Sequence, residues 1–302
     1  MSLHPQSVAA LALWGEAPPV HTLDAEGIRA RRATAREEGL AEPKEDVAQT
    51  TDVDAGGVPA RLLRPHGADP EEHLPALVYL HGGGFVLGDL ETHDAPSRRL
   101  ANRTGRVVLV VDYRRPPEHV FPAALVDSVA ALDWMVAHGT DHGVDVRRVG
   151  VVGDSAGANL AIGTALRRPG VLEAAVLVYP FLDPEASSAS YASTTGGLDR
   201  EDGLWFWRQY VEPGDDRVLR DPELAPLRST RLGELPRSLV QIAGEDTLVD
   251  EGRALVERAR DLGADVTELT YDGMVHGFWR HPAVFDAAEQ ALADAADWLD
   301  RP

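Results

Sequence analysis

The residues of this chain best placed to do covalent chemistry are a serine and a histidine, each set among glycines: Ser155 in Gly153-Asp154-Ser155-Ala156-Gly157, and His276 in Asp272-Gly273-Met274-Val275-His276-Gly277-Phe278. An apolar, β-branched run (Val149, Val151, Val152) precedes the serine and suits a buried strand. Ala158 to Leu166, rich in helix formers, follows it. Glycines two positions before and after a serine let neighbouring backbone approach closely, while the serine takes a strained conformation with its hydroxyl raised above the sheet. The same turn sets Ser155 at a helix N-terminus, where free N–H groups favour developing negative charge. The pattern is either a nucleophile elbow or a glycine-rich turn with an incidental serine, and the rest of the chain must decide between them.

A serine hydroxyl becomes a nucleophile only when a base takes its proton, and the base needs a third group to fix its tautomer. In open α/β sheets that carry such a triad the chain order is serine, carboxylate, histidine. Of the eleven histidines only His276 and His281 follow Ser155. His281 stands beside Pro282 at the start of the last expected helix, whereas His276 lies in a loop after the last expected strand. Glu245, Asp246, Asp250 and Glu251 are the carboxylates after the preceding strand, where acidic residues commonly serve as helix N-caps. The position of Asp246 in the loop, close to the strand end, favours it, with Asp250 in reserve. Gly82-Gly83-Gly84 follows an upstream strand and can expose N–H groups to an oxyanion, joined by the N–H of Ala156.

Elements must hold these residues together. Val8 to Trp14 and Leu23 to Gly39 read as helices, the second charged and stopped by Gly39. Asp46 to Asp52 and Val58 to Arg64 flank Ala55-Gly56-Gly57 as a hairpin. Apolar strands are expected at Leu77 to Leu80, Val107 to Val111, Val149 to Val152, Val176 to Tyr179, Leu239 to Ala243 and Val266 to Tyr271. Helices are expected at Asp94 to Thr104, Phe121 to His138, Leu248 to Leu262 and Pro282 to Leu299. This alternation predicts an α/β fold, a mostly parallel sheet covered by helices on both faces, with ligands at the carboxyl ends of the strands. Between about residues 181 and 227 the alternation stops around an aromatic knot, Leu204-Trp205-Phe206-Trp207, which reads as an insertion.

The 302 residues carry 49 acidic and 29 basic side chains, a net charge of −20, with Lys44 the only lysine. So negative a surface repels nucleic acid and anionic membrane, and neither is expected as a partner. Absence of cysteine excludes thiol catalysis, disulfides and cysteine-ligated metals. No run approaches a membrane helix, and a cytoplasmic location is expected from the lack of a basic leader before Val8 to Trp14.

On His81-Gly82-Gly83-Gly84-Phe85, Asp112-Tyr113-Arg114 with Pro117-Glu118, Gly153-Asp154-Ser155-Ala156-Gly157-Ala158-Asn159, Asp246 through Asp250-Glu251-Gly252, and His276-Gly277-Phe278, the chain resembles the hormone-sensitive lipase-like branch of the α/β-hydrolases, the bacterial family IV carboxylesterases. The resemblance spans about residues 75 to 300. It implies an α/β-hydrolase fold with a helical cap made from residues 1–45 and 181–227, the remainder of 46–302 forming the hydrolase domain. It further implies Ser155 as nucleophile, His276 as base, Asp246 as orienter, and the N–H groups of Gly83, Gly84 and Ala156 as oxyanion hole. Short- to medium-chain esters would be the small-molecule substrates, without cofactor or metal, and pairing of edge strands would give a homodimer. Phe85, Trp205 and Phe206 are candidates for the pocket wall. Activity is expected to fall as pH drops and the histidine base takes a proton. An amidase or deacetylase would use the same triad, and a small-molecule receptor the same scaffold. The chain departs from the family at Arg115-Pro116, where Leu-Ala is usual, and at Thr247, where proline is usual. Arg114 with Glu118 is expected as a structural ion pair, and His81 as the residue that orients the glycine loop.

Overall fold

The computed structural model describes residues 2–15, 18–193 and 197–301. Eight strands form one sheet: β1 (Gln49–Asp54), β2 (Pro59–Arg64), β3 (Leu74–Leu80), β4 (Val107–Val111), β5 (Val144–Asp154), β6 (Ala174–Val178), β7 (Arg237–Ala243) and β8 (Val266–Tyr271). Their order is β1-β2-β4-β3-β5-β6-β7-β8. β2 runs antiparallel to both neighbours, and every other pairing is parallel. The helices, in chain order, are α1 (Pro5–Trp14), α2 (Ala25–Ala41), α3 (Asp94–Thr104), α4 (Ala123–His138), α5 (Ala156–Arg167), α6 (Ser190–Ser193), α7 (Arg200–Tyr210), α8 (Val249–Asp261) and α9 (Asp286–Leu299).

Successive strand residues point to opposite faces, so each apolar strand feeds two cores. Val78, Leu80, Leu109, Val111 and Val151 pack with α4, α5 and α8 on one side. Leu77, Tyr79, Val108, Val110 and Val152 pack with α3 and α9 on the other. The sheet is thus covered on both faces, as expected of parallel strands without an alternating polar side.

Two expectations are corrected. α2 does not stop at Gly39 but continues to Ala41. A Cβ on Gly39 would stand 2.6 Å from the Glu91 carbonyl oxygen, so this glycine serves close packing of α2 on the 91–92 turn. Arg114 does not pair with Glu118: its guanidinium grips Asp127 of α4, at 2.7 Å from Oδ1. Glu118 is instead taken by Arg29 (2.9 Å) and Arg32 (3.0 Å) of α2; from the same helix Arg32 also donates to the Val86 carbonyl and Arg36 to Asp89, beside the glycine loop. The aromatic knot forms α7, with Asp199 accepting from the Asp202 N–H as its cap. His21, from the N-terminal segment, touches the same Asp202 (Nδ1 to Oδ1 2.6 Å), so the two segments expected to build the cap meet there. Residues 16–17 and 194–196 of those segments lie outside the described residues.

Candidate active site

β5 ends at Asp154 and α5 begins at Ala156, leaving Ser155 alone on the turn at φ 54°, ψ −118°. Left-handed backbone at a non-glycine residue is strained and persists only where the surroundings enforce it. Here they do so by contact. A Cβ on Gly153 would meet the Gly157 carbonyl oxygen at 2.2 Å, and one on Gly157 would meet that of Leu80 at 1.8 Å. The Ser155 N–H is tied to the Val178 carbonyl at 2.9 Å.

Three loops at the carboxyl ends of β5, β7 and β8 bring Ser155, Asp246 and His276 together. Ser155 Oγ lies 3.0 Å from His276 Nε2, and His276 Nδ1 lies 2.8 Å from Asp246 Oδ2. Asp246 is fully buried; its other oxygen accepts from the Leu248 N–H at 3.0 Å. That fixes the carboxylate so that it holds a proton on His276 Nδ1 and leaves Nε2 free to accept from the serine. Asp250 is elsewhere, accepting from the Ser190 N–H, and Glu251 accepts from the N–H groups of Leu182 and Asp183. Thr247 donates to the Leu198 carbonyl, a bond that the proline usual at this position could not make.

The glycine loop is held from beneath by Asp154, whose Oδ1 accepts from the Gly82 N–H (2.9 Å) and the Tyr79 hydroxyl (2.7 Å). Burial pushes the Asp154 carboxyl up, while Arg280 and these donors pull against that. His81 bridges the Gly82 carbonyl through Nδ1 at 2.8 Å and faces Arg115 Nη1 through Nε2 at 3.3 Å. Burial, with the charge of Arg115, lowers His81 to about 3, so the ring is neutral. Its partners assign the proton to Nδ1. Arg115, unusual at its position, is thus the donor that fixes the histidine orienting the loop. Among the described residues, the N–H groups of Gly83, Gly84 and Ala156 donate to no acceptor. Gly83 and Gly84 line a cavity of about 150 Å³ with Ser155, His276, Phe206 and Arg280.

A family model described as the α/β-hydrolase fold matches residues 77–280. The chain belongs to this family. It is 32% identical to the ethyl acetate hydrolase of Pseudomonas putida over 100% of this chain and 99% of that relative. It is 40% identical to the carboxylic ester hydrolase LipN of Mycobacterium tuberculosis, covering 74% of this chain and 61% of LipN. The hyperthermophilic esterase of the archaeon Pyrobaculum calidifontis superposes with a TM-score of 0.88 at 33% identity, over 99% of this chain and 98% of that one. These relatives bear out the resemblance to the hormone-sensitive lipase-like branch.

Of the aromatic residues singled out in the sequence of this α/β-hydrolase, Phe206 reaches the cavity, its ring pressed on Gly84 so closely that a Cβ there would stand 2.1 Å from it. Phe85 and Trp205 are not on the cavity wall. Phe85 is wholly buried, stacked on Tyr210 at 3.9 Å, and Trp205 packs edge-on against Phe206. A bulky residue after the glycine triplet is turned inward because it takes positive φ (64°), which the pattern of residue types does not reveal. Sequence reasoning missed Tyr179 and Arg280, both on the cavity wall. Arg280 carried a signal in its place four residues after His276. Away from this site, His21, Asp199 and Asp202 bring possible metal-ligand atoms within 4.8 Å of one another, and capping of α7 and the His21 contact account for that arrangement.

Proposed function

We propose that this chain is a serine carboxylesterase that hydrolyses short- to medium-chain esters through an acyl-enzyme. The observation that carries this reading is the unbroken hydrogen-bonded chain Ser155–His276–Asp246 opening on a cavity that also exposes the glycine loop. His276 Nε2 takes the Oγ proton as Ser155 attacks the ester carbonyl, and Asp246 stabilises the imidazolium through Nδ1–H. Charge developing on the carbonyl oxygen is met by the N–H groups of Gly83, Gly84 and Ala156. The protonated His276 then gives its proton to the departing alkoxide, and water, deprotonated in the same way, releases the acid from Ser155.

The cavity of about 150 Å³ is small beside the roughly 300–1,000 Å³ of sites for drug-sized ligands, which supports small acyl groups. An ester of the size named for the Pseudomonas relative suits it. Hydrolysis of p-nitrophenyl esters from acetate to laurate is expected to be fastest at the short end. Ser155→Ala and His276→Ala are each expected to lower kcat by about a thousandfold or more. Turnover that survives Ser155→Ala would exclude this residue as nucleophile.

A further inference from the structure

We infer that Arg280 makes this site select esters that carry a carboxylate besides the scissile bond. The inference rests on the esterase reading above and names its substrate class.

Arg280 is half-buried and lines the cavity that holds Ser155 and His276. Its position is held by Nη1, 3.0 Å from His93 Nε2. His93 is fully buried, and burial, with the charge of Arg280, keeps it neutral; its Nδ1 is engaged by Thr92 Oγ1 at 2.9 Å. Thr92 donates its own hydroxyl proton to the Asp89 carbonyl, so Nδ1 carries the His93 proton and Nε2 accepts from the guanidinium. The histidine therefore fixes the arginine without neutralising it. Among the described residues no carboxylate lies within ion-pair distance (4.0 Å) of Arg280. The acidic residue on the same wall is Asp154; Tyr79 and Gly82 hold its Oδ1, burial pushes its carboxyl up, and the charge of Arg280 pulls against that from beyond ion-pair distance. The other ionisable groups near Arg280 are His81, His93, His276, His281 and the phenols of Tyr79 and Tyr179. Burial holds His81, His93 and His281 neutral, and it holds the protons on both phenols. The Tyr179 hydroxyl, on the same wall, has no hydrogen-bond partner among the described residues.

A guanidinium in a small, half-enclosed cavity is costly to desolvate unless something of opposite charge completes it. In a molecule carrying 49 acidic residues against 29 basic ones, a cation at the reactive serine that is left without an ion-pair partner among the described residues favours a bound anion locally, against the repulsion of the whole surface. Guanidinium and carboxylate match in geometry, two parallel N–H donors facing two oxygens. The carboxylate sits on either side of the scissile bond. Half-esters of a dicarboxylic acid carry it on the acyl side, and acyloxy acids carry it on the alcohol side.

The test compares kcat/KM at one fixed ionic strength for monoethyl succinate against ethyl butyrate, and for acetoxyacetate against its methyl ester. These are measured with the unaltered chain, Arg280→Gln and Arg280→Lys. The anionic-to-neutral ratio is expected to fall about tenfold or more in Arg280→Gln for at least one pair, with partial recovery in Arg280→Lys. The pair affected identifies the side. Succinate is also expected to compete with ethyl butyrate for the unaltered enzyme at a concentration at least tenfold lower than succinamide does, a measurement that depends on no variant folding. Ratios unchanged in Arg280→Gln, or equal competition by succinate and succinamide, would overturn the inference. Absence of turnover on all four esters by the unaltered chain would instead overturn the esterase reading, and this inference with it.

Discussion

One residue before Ser155, Asp154 is 1% exposed and still carries out a polar task, joining the strand-to-helix turn to the glycine loop through Gly82 and to β3 through Tyr79. A carboxylate buried this deeply is tolerable only with donors directed at it. The cost of removing one is accordingly large: Tyr79→Phe keeps the ring and deletes only the 2.7 Å bond to Oδ1. It is expected to lower stability by about 1–3 kcal/mol, read as a lower urea midpoint at unchanged slope. An unchanged midpoint would mean that Gly82 alone holds the carboxylate. The Gly-Asp-Ser-Ala-Gly pattern displays Ser155 and hides this partner of Asp154, because Tyr79 reads only as an apolar member of a buried strand. Asp246 and His276 were legible for the opposite reason, since chain order and a loop after a strand are properties of sequence. Phe85 was misplaced because wall and core differ by a backbone angle, and Arg280 was passed over although it stands four residues after His276, because residue type and spacing do not show which side chains of that loop turn into the cavity.

At the level of elements, α8 does more than cover the sheet. Its Glu251 is 1% exposed and accepts from the N–H groups of Leu182 (2.5 Å) and Asp183 (2.9 Å) and from the Tyr191 hydroxyl (2.9 Å), anchoring the chain as it leaves β6 for the inserted segment. Burial nonetheless outweighs these donors and pushes the carboxyl from its ordinary 4.5 up to about 8. A carboxyl with a raised folded value binds its proton more tightly folded than unfolded. Its contribution is therefore fully present below about pH 4.5 and is lost as pH rises towards 8. Glu251→Gln removes that dependence, so the melting temperature of the unaltered chain is expected to fall relative to the variant between pH 5 and 8. Parallel curves across that range would show that Glu251 is ionised throughout. The apolar strands were legible as elements, because burial on both faces leaves uninterrupted runs of Val, Leu and Ala. The course of α2 past Gly39 and the partners of Glu118 were not, since each depends on what a distant segment presents: Glu91 in one case, Arg29 and Arg32 in the other.

The whole molecule ends its sheet in two unlike edges. β1 presents Asp52 and Asp54 among mostly exposed side chains, charges that keep a second sheet away. β8 is half-buried along its length and carries Glu268 as its one charge. Every second residue of a strand bonds to one neighbour. The Ser238 N–H to Asp265 carbonyl and Gly244 N–H to Tyr271 carbonyl bonds show that residues 265 and 271 face β7. Residues 267 and 269 face it by the same alternation, and the N–H groups of Val266, Glu268 and Thr270 face outwards. A second copy of the chain can therefore pair antiparallel on β8, as expected for the homodimer. Sedimentation at 0.15 M salt is expected to give twice the 32.6 kDa chain mass, with weaker association at low salt, where two strongly acidic chains repel. Glu268→Pro deletes an outward donor and leaves the bonds to β7 intact, since proline is tolerated where an edge N–H faces solvent. The variant is expected to run as a single chain at unchanged ester turnover. A dimer that persists in Glu268→Pro would place the interface away from β8, and a single-chain mass for the unaltered protein at tens of micromolar would exclude the dimer.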